Sequence, residues 1–334
     1  MSKQTRQPIT LPWIEKYRPN KLEDIILEDN VRMIFSQMMK NDNISNLIIT
    51  GPPGTGKTTS IICLAKQLLG AYYNEGAIEL NASDNRGLDI ITSKIIPFCK
   101  KKLVNSSDPT KKIYKIIILD EADNLTKKAQ NTLSNLIEEH FNNTRFAFTC
   151  NDSSQIIEAI QSRCYIIHLK HIPSINLLSR LKTICNKEEI EYDDNGLNTI
   201  IYVSQGDIRQ AISMLEITHD SLNKITEENV YKVHDRPSIE RIKEVIDYCS
   251  NCQLSKAIER MNFIRKKGYN NNDIVLAVIS TLKNIEMDED LRIHFISISN
   301  DTYIIVSNGV DSNLQVDACL SRMCKFVLTK KNVK

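Results

Sequence analysis

Apolar and polar positions follow two different patterns along the first half of the chain. Five short runs are almost entirely apolar, at residues 46–50, 77–80, 115–120, 145–150 and 165–169. The segments between them space their apolar residues as a helix does, most clearly at 57–69. Strands that are apolar throughout and separated by helices are typical of a parallel sheet covered on both faces. The pattern therefore predicts an α/β domain with a five-stranded parallel sheet over residues 1–170.

The strand pattern fades after residue 170. Three segments with helical spacing follow, at residues 173–189, 194–205 and 207–217. Turn residues at 234–238 indicate a junction, and apolar residues then recur at helical spacing from Ile239 to about residue 328. We therefore predict two further domains, a small helical one over residues 171–232 and an all-helical one over residues 233–334.

A glycine-rich loop joins the first predicted strand to the helix that follows it. The sequence GPPGTGKT at 51–58 matches G-x-x-x-x-G-K-S/T. In this motif backbone N–H groups cradle phosphates, the lysine reaches the β and γ phosphates, and the last hydroxyl binds Mg²⁺. The motif predicts a site for a nucleoside triphosphate with Mg²⁺, formed by Gly51, Pro52, Pro53, Gly54, Thr55, Gly56, Lys57, Thr58 and Thr59.

Two carboxylates stand at the end of the third predicted strand, in the sequence IIILDEAD at 116–123. Asp120 is suited to hold Mg²⁺ together with Thr58, and Glu121 to orient and deprotonate an attacking water. Asn151 directly follows the fourth predicted strand, where an amide would position the same water. A solvated acidic turn at the carboxylates, or an Asx-turn at Asn151, would explain the same residues without catalysis.

Net charge excludes a strongly basic protein, because 43 basic side chains face 41 acidic ones and leave +2. Contacts with nucleic acid would therefore have to come from local clusters. One basic cluster has Asp108 as its only acid and contains Lys94, Lys100, Lys101, Lys102, Lys111, Lys112 and Lys115. A solvated loop is the simpler interpretation of such a run.

Nine cysteines are scattered along the chain and form no disulfide framework. Cys249 and Cys252 make a single C-x-x-C, which supplies too few ligands for a structural zinc site. The sequence contains neither an apolar signal segment nor an apolar run long enough to span a membrane. We therefore expect an intracellular protein of a reducing compartment, without a membrane partner.

Seven motifs occur in the order found in one family. They are LPWIEKYRP (11–19), GPPGTGKTTS (51–60), ELNASDNRG (79–87), KIIILDEAD (115–123), TRFAFTCN (144–151), IQSRC (160–164) and GDIRQA (206–211). With them the chain resembles AAA+ ATPases and, more closely, the small subunits of replication factor C, the eukaryotic sliding-clamp loader. The similarity runs from about residue 11 to residue 325. Its later part is most similar to the small subunit numbered two in animals and four in budding yeast.

This resemblance implies how the three predicted domains are used. Residues 1–170 would form an ATP-hydrolysing domain, residues 171–232 a helical lid, and residues 233–334 a collar through which subunits assemble. Five different subunits would form a spiral in which the ATP of one subunit lies against the next. ATP and Mg²⁺ are the implied cofactors, and a nuclear location follows from a role in DNA replication.

The resemblance also assigns roles to residues outside the phosphate loop. Arg163 of the S-R-C motif would reach the γ-phosphate of the neighbouring subunit, although pairing with a local acid is the simpler interpretation of a helix-end arginine. Arg209 would lean from the lid onto the phosphates of its own subunit, so that the lid responds to ATP. The segment beside the adenine would contain Tyr17, Arg18 and Pro19.

Primer–template DNA and the sliding clamp are the implied macromolecular partners. Contacts with the DNA backbone, independent of base sequence, are expected from Arg86, Lys94, Lys127 and Lys128. Contacts with the clamp are expected around Ile95, Ile96, Phe98 and Leu103, which are equally suited to a core. Pro97 would disturb a helix in that segment.

One departure from the family concerns the helix after the acidic motif, where Ser134 and Asn135 replace a usual pair of arginines. Coupling of DNA or neighbouring subunits to the ATP site through those arginines is therefore in doubt.

Two other functions fit parts of the sequence. The tetrapeptide DEAD is found in helicases, although the chain lacks a second RecA-like domain and a nearby S-A-T motif. A scaffold that binds nucleotide without hydrolysing it would keep the same phosphate loop.

Overall fold

The computed structural model describes residues 11–40, 44–83, 91–101, 114–234 and 237–332. The chain divides into two compact units, residues 1–225 and 226–334. The first unit contains the α/β domain together with the three helices that follow it, and the second contains the remaining helices. The division into three domains, with boundaries after residues 170 and 232, stays a prediction.

Five parallel strands form the sheet of the first unit, as the apolar runs predict. They are β1 (Leu47–Thr50), β2 (Ala77–Asn81), β3 (Lys115–Asp120), β4 (Thr144–Cys150) and β5 (Tyr165–His168). Their spatial order is β2-β3-β4-β1-β5, and every neighbouring pair is parallel. Each strand begins and ends within one residue of its prediction, because burial on both faces makes each run continuously apolar.

Alternate residues of the strands pack on opposite faces of the sheet. One face carries Ile48, Ile117, Leu119, Phe146 and Phe148, together with Leu133 and Ile137 of the helix Lys127–Glu139. The other face carries Leu47, Ile49, Ile116, Ile118 and Ala147, together with Ile61 and Leu64 of the helix Lys57–Leu69. The sheet is thus the middle layer of three, with helices packed on both faces. A ligand can approach the sheet only at its edges.

Helices and short turns connect the strands of the first unit. The α-helices are Trp13–Lys16, Asp29–Lys40, Lys57–Leu69, Tyr73–Gly76, Ile96–Lys100, Lys127–Glu139, Glu158–Gln161, Ser174–Lys187, Asp194–Ser204 and Ile208–Leu222. The 3₁₀ turns are Leu22–Asp24, Gly70–Tyr72, Ala122–Asn124 and Ser153–Gln155. The last three α-helices, which we call the lid helices, confirm the predicted ones. The third of them continues to Leu222, beyond its predicted end at residue 217.

A second sheet in the first unit was not predicted. Its strands β6 (Glu191–Tyr192) and β7 (Lys224–Ile225) pair in parallel and tie together the chain after the first and third lid helices. Strands of two residues are too short to show a hydrophobic period, so the sequence pattern could not reveal them.

Pro97 is accommodated at a helix start. A π-helical turn spans Ile91–Ile95, and the α-helix Ile96–Lys100 begins directly after it, so that Pro97 lies in the first turn, where its missing N–H is not needed. Ile95 is fully buried in the core, and the expectation that it contacts a clamp is therefore wrong. Ile96 and Phe98 are partly buried against the same core, and Leu103 lies outside the described residues.

Lys115 is buried, and its assignment to a solvated basic cluster is wrong. Its ammonium group donates to the carbonyl oxygens of Phe98 at 2.7 Å, Cys99 at 2.5 Å and Lys101 at 2.6 Å. These carbonyls lie at the end of the helix Ile96–Lys100, where backbone acceptors have no partner within the helix. Burial lowers the pKa of Lys115. The lysine therefore joins the first residue of β3 to the end of this helix.

Helices alone form the second unit. They are Glu227–Val233, Ile239–Ser250, Leu254–Arg265, Asn271–Asn284, Glu289–Ser307 and Asn313–Asn332. Their core includes Ile242, Met261, Leu282, Phe295 and Met323. Cys249 is buried in this core and Cys252 is partly buried. Within the described ranges, no group of three or more His, Cys, Asp or Glu side chains is arranged to hold a metal ion.

None of the described helices combines the length and the apolar character that crossing a bilayer requires.

We predict that Lys115→Met lowers the free energy of unfolding by about 1–3 kcal/mol, because the helix-end carbonyls lose a buried donor. Lys100→Met is the matched control, since Lys100 is exposed at the end of the same helix, and it should change stability by less than about 0.5 kcal/mol. Urea unfolding of the purified variants measures both values. Equal stability of the two variants would contradict the capping role of Lys115.

Candidate nucleotide site

The carboxyl edge of the sheet gathers the groups predicted to handle phosphate. Strands β3, β4 and β1 are consecutive neighbours and run in parallel, so that their carboxyl ends meet. The phosphate loop follows β1, Asp120 ends β3 with Glu121 next to it, and Asn151 follows β4. One pocket is lined by these groups together with Arg209, and its lining contains Pro53, Gly54, Thr55, Gly56, Lys57, Thr58, Asp120, Glu121 and Asn151.

Lys57 spans the phosphate pocket. Its ammonium group donates to the carbonyl oxygens of Gly51 and Pro52, both at 2.8 Å, and to Oδ1 of Asn151 at 2.9 Å. Burial lowers the pKa of Lys57, and the carboxylates of Asp120 and Asp123 act in the opposite direction. The hydrogen bonds of its ammonium group thus connect the phosphate loop to the residue that follows β4.

The residues present fit a magnesium ion. Thr58 donates its hydroxyl to Oδ1 of Asp120 at 2.8 Å, and the hydroxyl of Thr149 also donates to that oxygen. The hydroxyl oxygen of Thr58, at the start of the helix after the phosphate loop, and the carboxylate of Asp120, at the end of β3, are hard donors of the kind that Mg²⁺ prefers. Water and substrate phosphates supply the other ligands of Mg²⁺ in such sites. Thr58 and Asp120 would hold the ion, as the sequence predicts.

Glu121 is exposed at the mouth of the pocket, in a left-handed backbone conformation with φ 53°. Its N–H donates to Oγ1 of Thr149 at 3.2 Å, and its Oε2 accepts from Nδ2 of Asn124 at 3.3 Å. A non-glycine residue at positive φ is strained and needs support from its surroundings. Thr149 and Asn124 supply that support, and neither was singled out from the sequence.

Three bonds hold Asn151 in place. Its N–H donates to Oδ2 of Asp123 at 3.0 Å, its carbonyl accepts from the Thr50 hydroxyl at 3.2 Å, and its side-chain oxygen accepts from Lys57. The Asx-turn considered for this position is formed by Asp152 instead, whose Oδ1 accepts from the N–H of Ser154 at 2.9 Å. The amide of Asn151 is therefore directed into the pocket.

Tyr17, Arg18 and Pro19 line a second pocket next to the first. The two pockets share Gly54, Thr55, Gly56 and Arg209, and the second adds an apolar wall that includes Ile25, Ile26, Ile208 and Ile212 together with Thr59. A polar pocket with a lysine beside an apolar one fits a nucleotide with its phosphates in the first and its base in the second. Arg209 of the third lid helix stands where the two pockets meet.

The segment around Tyr17 is attached to the lid helices more firmly than the sequence indicated. The Tyr17 hydroxyl bonds to Glu188, burial and this carboxylate raise the pKa of Tyr17 to about 12, and Arg180 donates to the Tyr17 carbonyl at 2.7 Å. The N–H of Trp13 donates to both carboxylate oxygens of Glu216 at 3.1 Å. Movement of the lid helices would therefore move the wall of the base pocket.

The third lid helix also touches the phosphate loop. Asp207 caps this helix by accepting from the N–H groups of Arg209 at 2.8 Å and Gln210 at 3.1 Å. Gly54 lies against the same carboxylate, since a Cβ added at Gly54 would come within 1.9 Å of Oδ1 of Asp207. An alanine at this point of the loop would have to displace the Asp207 carboxylate, so the cap of the helix that carries Arg209 rests directly on Gly54.

Arg163 lies at the opposite edge of the sheet. It precedes β5 by two residues, and its carbonyl accepts from Asn46, which directly precedes β1. The four residues of β1, which span about 13 Å, thus separate Arg163 from the phosphate loop. The guanidinium pairs with Glu138, with Nε 2.7 Å from Oε1, and Nη1 donates to the Ala159 carbonyl at 2.6 Å. Within its own chain Arg163 has a local acid partner and does not reach the phosphate site.

The predicted DNA-binding lysines lie on the surface of the first unit. Lys94 is exposed on the π-helical turn, and Lys127 and Lys128 are exposed at the start of the helix Lys127–Glu139, which Thr126 caps. Arg86 lies outside the described residues. On the same helix Ser134 is buried with its hydroxyl 3.5 Å from the Ala159 carbonyl, whereas Asn135 is exposed. Ser134 therefore occupies a packed position.

Three family models match consecutive parts of the chain. "DNA polymerase III, delta subunit" matches residues 27–173, "RFC1-like, AAA+ ATPase lid domain" matches residues 176–232, and "Replication factor C C-terminal domain" matches residues 237–322.

Full-length relatives are similar to nearly the whole chain. Replication factor C subunit 4 of Saccharomyces cerevisiae is 40% identical and covers 95% of this chain and 97% of its own length. Subunit 4 of Schizosaccharomyces pombe is 39% identical, with 94% and 91% covered, and subunit 2 of Arabidopsis thaliana is 38% identical, with 93% and 92% covered. Among solved structures, the Thermotoga maritima RuvB Holliday junction branch migration motor aligns with a TM-score of 0.52 at 17% identity, covering 74% of this chain and 85% of that one. This last likeness shows the fold alone.

We predict that Gly54→Ala destabilises the isolated chain more than Gly56→Ala does, in the absence of nucleotide. Both glycines have positive φ, at +69° and +87°, so alanine costs about 1–2 kcal/mol of backbone strain at either. Only at Gly54 must Asp207 also be displaced, and loss of its cap adds about 1 kcal/mol.

Urea unfolding of the single variants and of pairs with Asp207→Ala measures this difference. In the Asp207→Ala background the two glycine substitutions should cost the same, because the atoms closest to the new Cβ at Gly54 all belong to Asp207. An undiminished difference in that background would show that the lid does not rest on Gly54.

Proposed function

This chain belongs to the family of replication factor C small subunits and is an ATPase subunit of a clamp loader, and we propose that it completes its catalytic centre only in a complex. It binds ATP with Mg²⁺ between phosphate loop and lid, as one of five different subunits. ATP binding builds a spiral that holds an open sliding clamp on primer–template DNA, and hydrolysis releases it. In a eukaryotic cell this task places the protein in the nucleus.

The observation that carries this proposal is the division of charged groups between two edges of one sheet. Lys57, Glu121 and Arg209 line the phosphate pocket at the carboxyl edge. Arg163 stands at the amino edge, beyond the reach of that pocket. An arginine that stabilises phosphoryl transfer must touch the γ-phosphate, so Arg163 is available only to ATP held by another subunit.

The chain's own residues have complementary tasks at the phosphates. Backbone N–H groups of the loop and the charge of Lys57 hold the β and γ phosphates, while Thr58 and Asp120 hold Mg²⁺. The bound Mg²⁺ neutralises charge on the phosphate oxygens. Glu121 accepts a proton from the attacking water, and the amide of Asn151 orients that water. Lys57 contacts Asn151. A γ-phosphate between them would therefore be bound by two side chains, one that follows β1 and one that follows β4.

The local contacts of Arg163 are weak enough for its guanidinium to exchange Glu138 for a phosphate held by a neighbouring subunit. The arginine forms an ion pair with Glu138 in which the Arg163 side chain is 36% exposed and the Glu138 side chain 57% exposed. Such exposed pairs contribute only about 0–1 kcal/mol to the free energy of unfolding. A γ-phosphate carries more charge than a carboxylate and accepts the guanidinium fork in the same bidentate way. A neighbouring ATP would therefore draw Arg163 from Glu138 without a large loss of stability.

The lid contacts support a response of the whole site to ATP. Asp207 rests on Gly54, and Arg209, two residues later, stands between the base and phosphate pockets. Attraction of Arg209 to the phosphates would move its helix, and Glu216 on the same helix holds the N–H of Trp13. Closure of the lid is thus linked to the segment beside the base.

DNA binding is proposed to depend on few contacts from each subunit. Lys94, Lys127 and Lys128 are exposed, and a net charge of +2 gives no general attraction to phosphate backbones. Lys127 and Lys128 stand at a helix start, where backbone N–H groups also attract phosphate. Such contacts do not read bases, so binding should be independent of sequence.

Two alternative functions would use the same phosphate loop. A non-hydrolysing scaffold would not need Glu121 supported at positive φ or Asn151 fixed by three bonds, and these features favour hydrolysis. The fold shared with a branch migration motor leaves a motor function conceivable from architecture alone, but the relatives over nearly the full chain are replication factor C subunits. The clamp-loader function is therefore the one supported by sequence and site together.

Arg163→Ala should reduce hydrolysis at the neighbouring subunit's site by roughly a thousandfold, the usual effect of losing such an arginine. The measurement is ATP turnover of a reconstituted complex in which only one site at a time is competent. Arg163→Lys is the informative control, since it keeps the charge but loses the bidentate fork, and it should also be impaired. Loss confined to the Lys57 site of the same chain would contradict the proposal.

A further inference from the structure

Asp123 is the fourth residue of the DEAD sequence, and it stands behind the phosphate pocket rather than among its lining residues. It lies in the 3₁₀ turn Ala122–Asn124, directly after Glu121. Its Oδ2 accepts the N–H of Asn151 at 3.0 Å. Its Oδ1 is buried and has no hydrogen-bond partner in the part of the chain that is described. Burying a carboxylate oxygen without a hydrogen-bond partner costs free energy of desolvation.

We propose that Asp123 is a positioning residue for ATP hydrolysis, which holds the main chain of Asn151 so that its side-chain amide faces the γ-phosphate and the attacking water. The inference rests on the proposed function, because it assumes that Asn151 acts on that water.

The first support is the place of Asn151 in the sheet. Thr50 pairs with Cys150 in the last register of β1 and β4, and β4 ends there. Asn151 therefore lies just beyond the ladder, which no longer fixes its peptide groups. Asp123 binds its N–H, and the hydroxyl of Thr50 binds its carbonyl. Side-chain bonds thus replace the ladder at the residue where accurate placement matters.

The second support is what the rest of the turn does. Asn124, the next residue, donates its Nδ2 to Oε2 of Glu121 at 3.3 Å. One turn of three residues therefore holds both groups that would act on water, the carboxylate after β3 through Asn124 and the amide after β4 through Asp123. The relative position of Glu121 and Asn151 is fixed by two short side chains rather than by the strands alone.

A steady-state comparison in the reconstituted clamp loader tests this inference. Turnover of a complex with Lys57→Ala gives the background from the other sites, and subtraction gives the contribution of this site. The variants are Asp123→Ala, Asp123→Asn, Asn151→Ala and the pair Asp123→Ala with Asn151→Ala. Asp152→Ala is the matched control, because Asp152 is adjacent to Asn151 but bonds to Ser154. Nucleotide affinity is measured separately with a fluorescent ATP analogue.

Asp123→Ala should lower kcat at this site about tenfold and change nucleotide affinity less than about twofold. Asp123→Asn, which keeps an acceptor for the N–H, should lose less, and Asp152→Ala should retain full activity. In the Asn151→Ala background the Asp123→Ala substitution should change kcat less than about twofold, since the residue it positions is gone.

Two results for Asp123 would overturn the inference. One is an equal kcat loss on Asp123→Ala with and without Asn151, which would make the two residues independent. The other is a loss of nucleotide affinity in proportion to kcat, in Asp123→Asn as well as Asp123→Ala, which would indicate a collapsed site. An active Asn151→Ala variant would also overturn the inference, because it would refute the role of Asn151 on which the inference rests, whereas the proposed function is tested separately by Arg163→Ala.

Discussion

The parallel direction of the five strands sets what this chain can do with ATP. Because β1, β3 and β4 all point the same way, the groups that follow them meet at one edge, and these include Lys57, Glu121 and Asn151. The same direction places Arg163, which precedes β5, at the other edge. No side-chain rearrangement can bring an arginine across the length of a strand, so any catalytic role of Arg163 would have to be at a site outside its own subunit.

The lid and the phosphate loop depend on each other through close contacts. Gly54 allows Asp207 to approach the loop, Asp207 caps the helix that carries Arg209, and Glu188 and Glu216 fix the segment that contains Tyr17. Each contact is modest in energy, and together they connect the lid helices to the phosphate loop and to the segment that contains Tyr17.

Sequence alone predicted the features that depend on local pattern. The five strands were within one residue of their true ends, and the phosphate loop and acidic motif were found at the carboxyl edge, because runs and motifs are local properties. Features that depend on distant partners were missed. Lys115 is held by carbonyls of a helix end about fifteen residues away in the chain, and Asp123, in the turn after β3, binds Asn151, which follows β4. A charged residue looks the same in sequence whether it is solvated, buried or positioning another.

The most direct measurement compares ATP turnover by the purified monomeric chain with turnover by the assembled complex, each with and without primed DNA and a sliding clamp. We expect the monomer to bind ATP and hydrolyse it roughly a thousandfold more slowly than the assembled complex, because no neighbour supplies an arginine. We also expect primed DNA and the clamp to stimulate only the complex. A monomer that hydrolyses ATP as fast as the stimulated complex would contradict a catalytic centre shared between subunits.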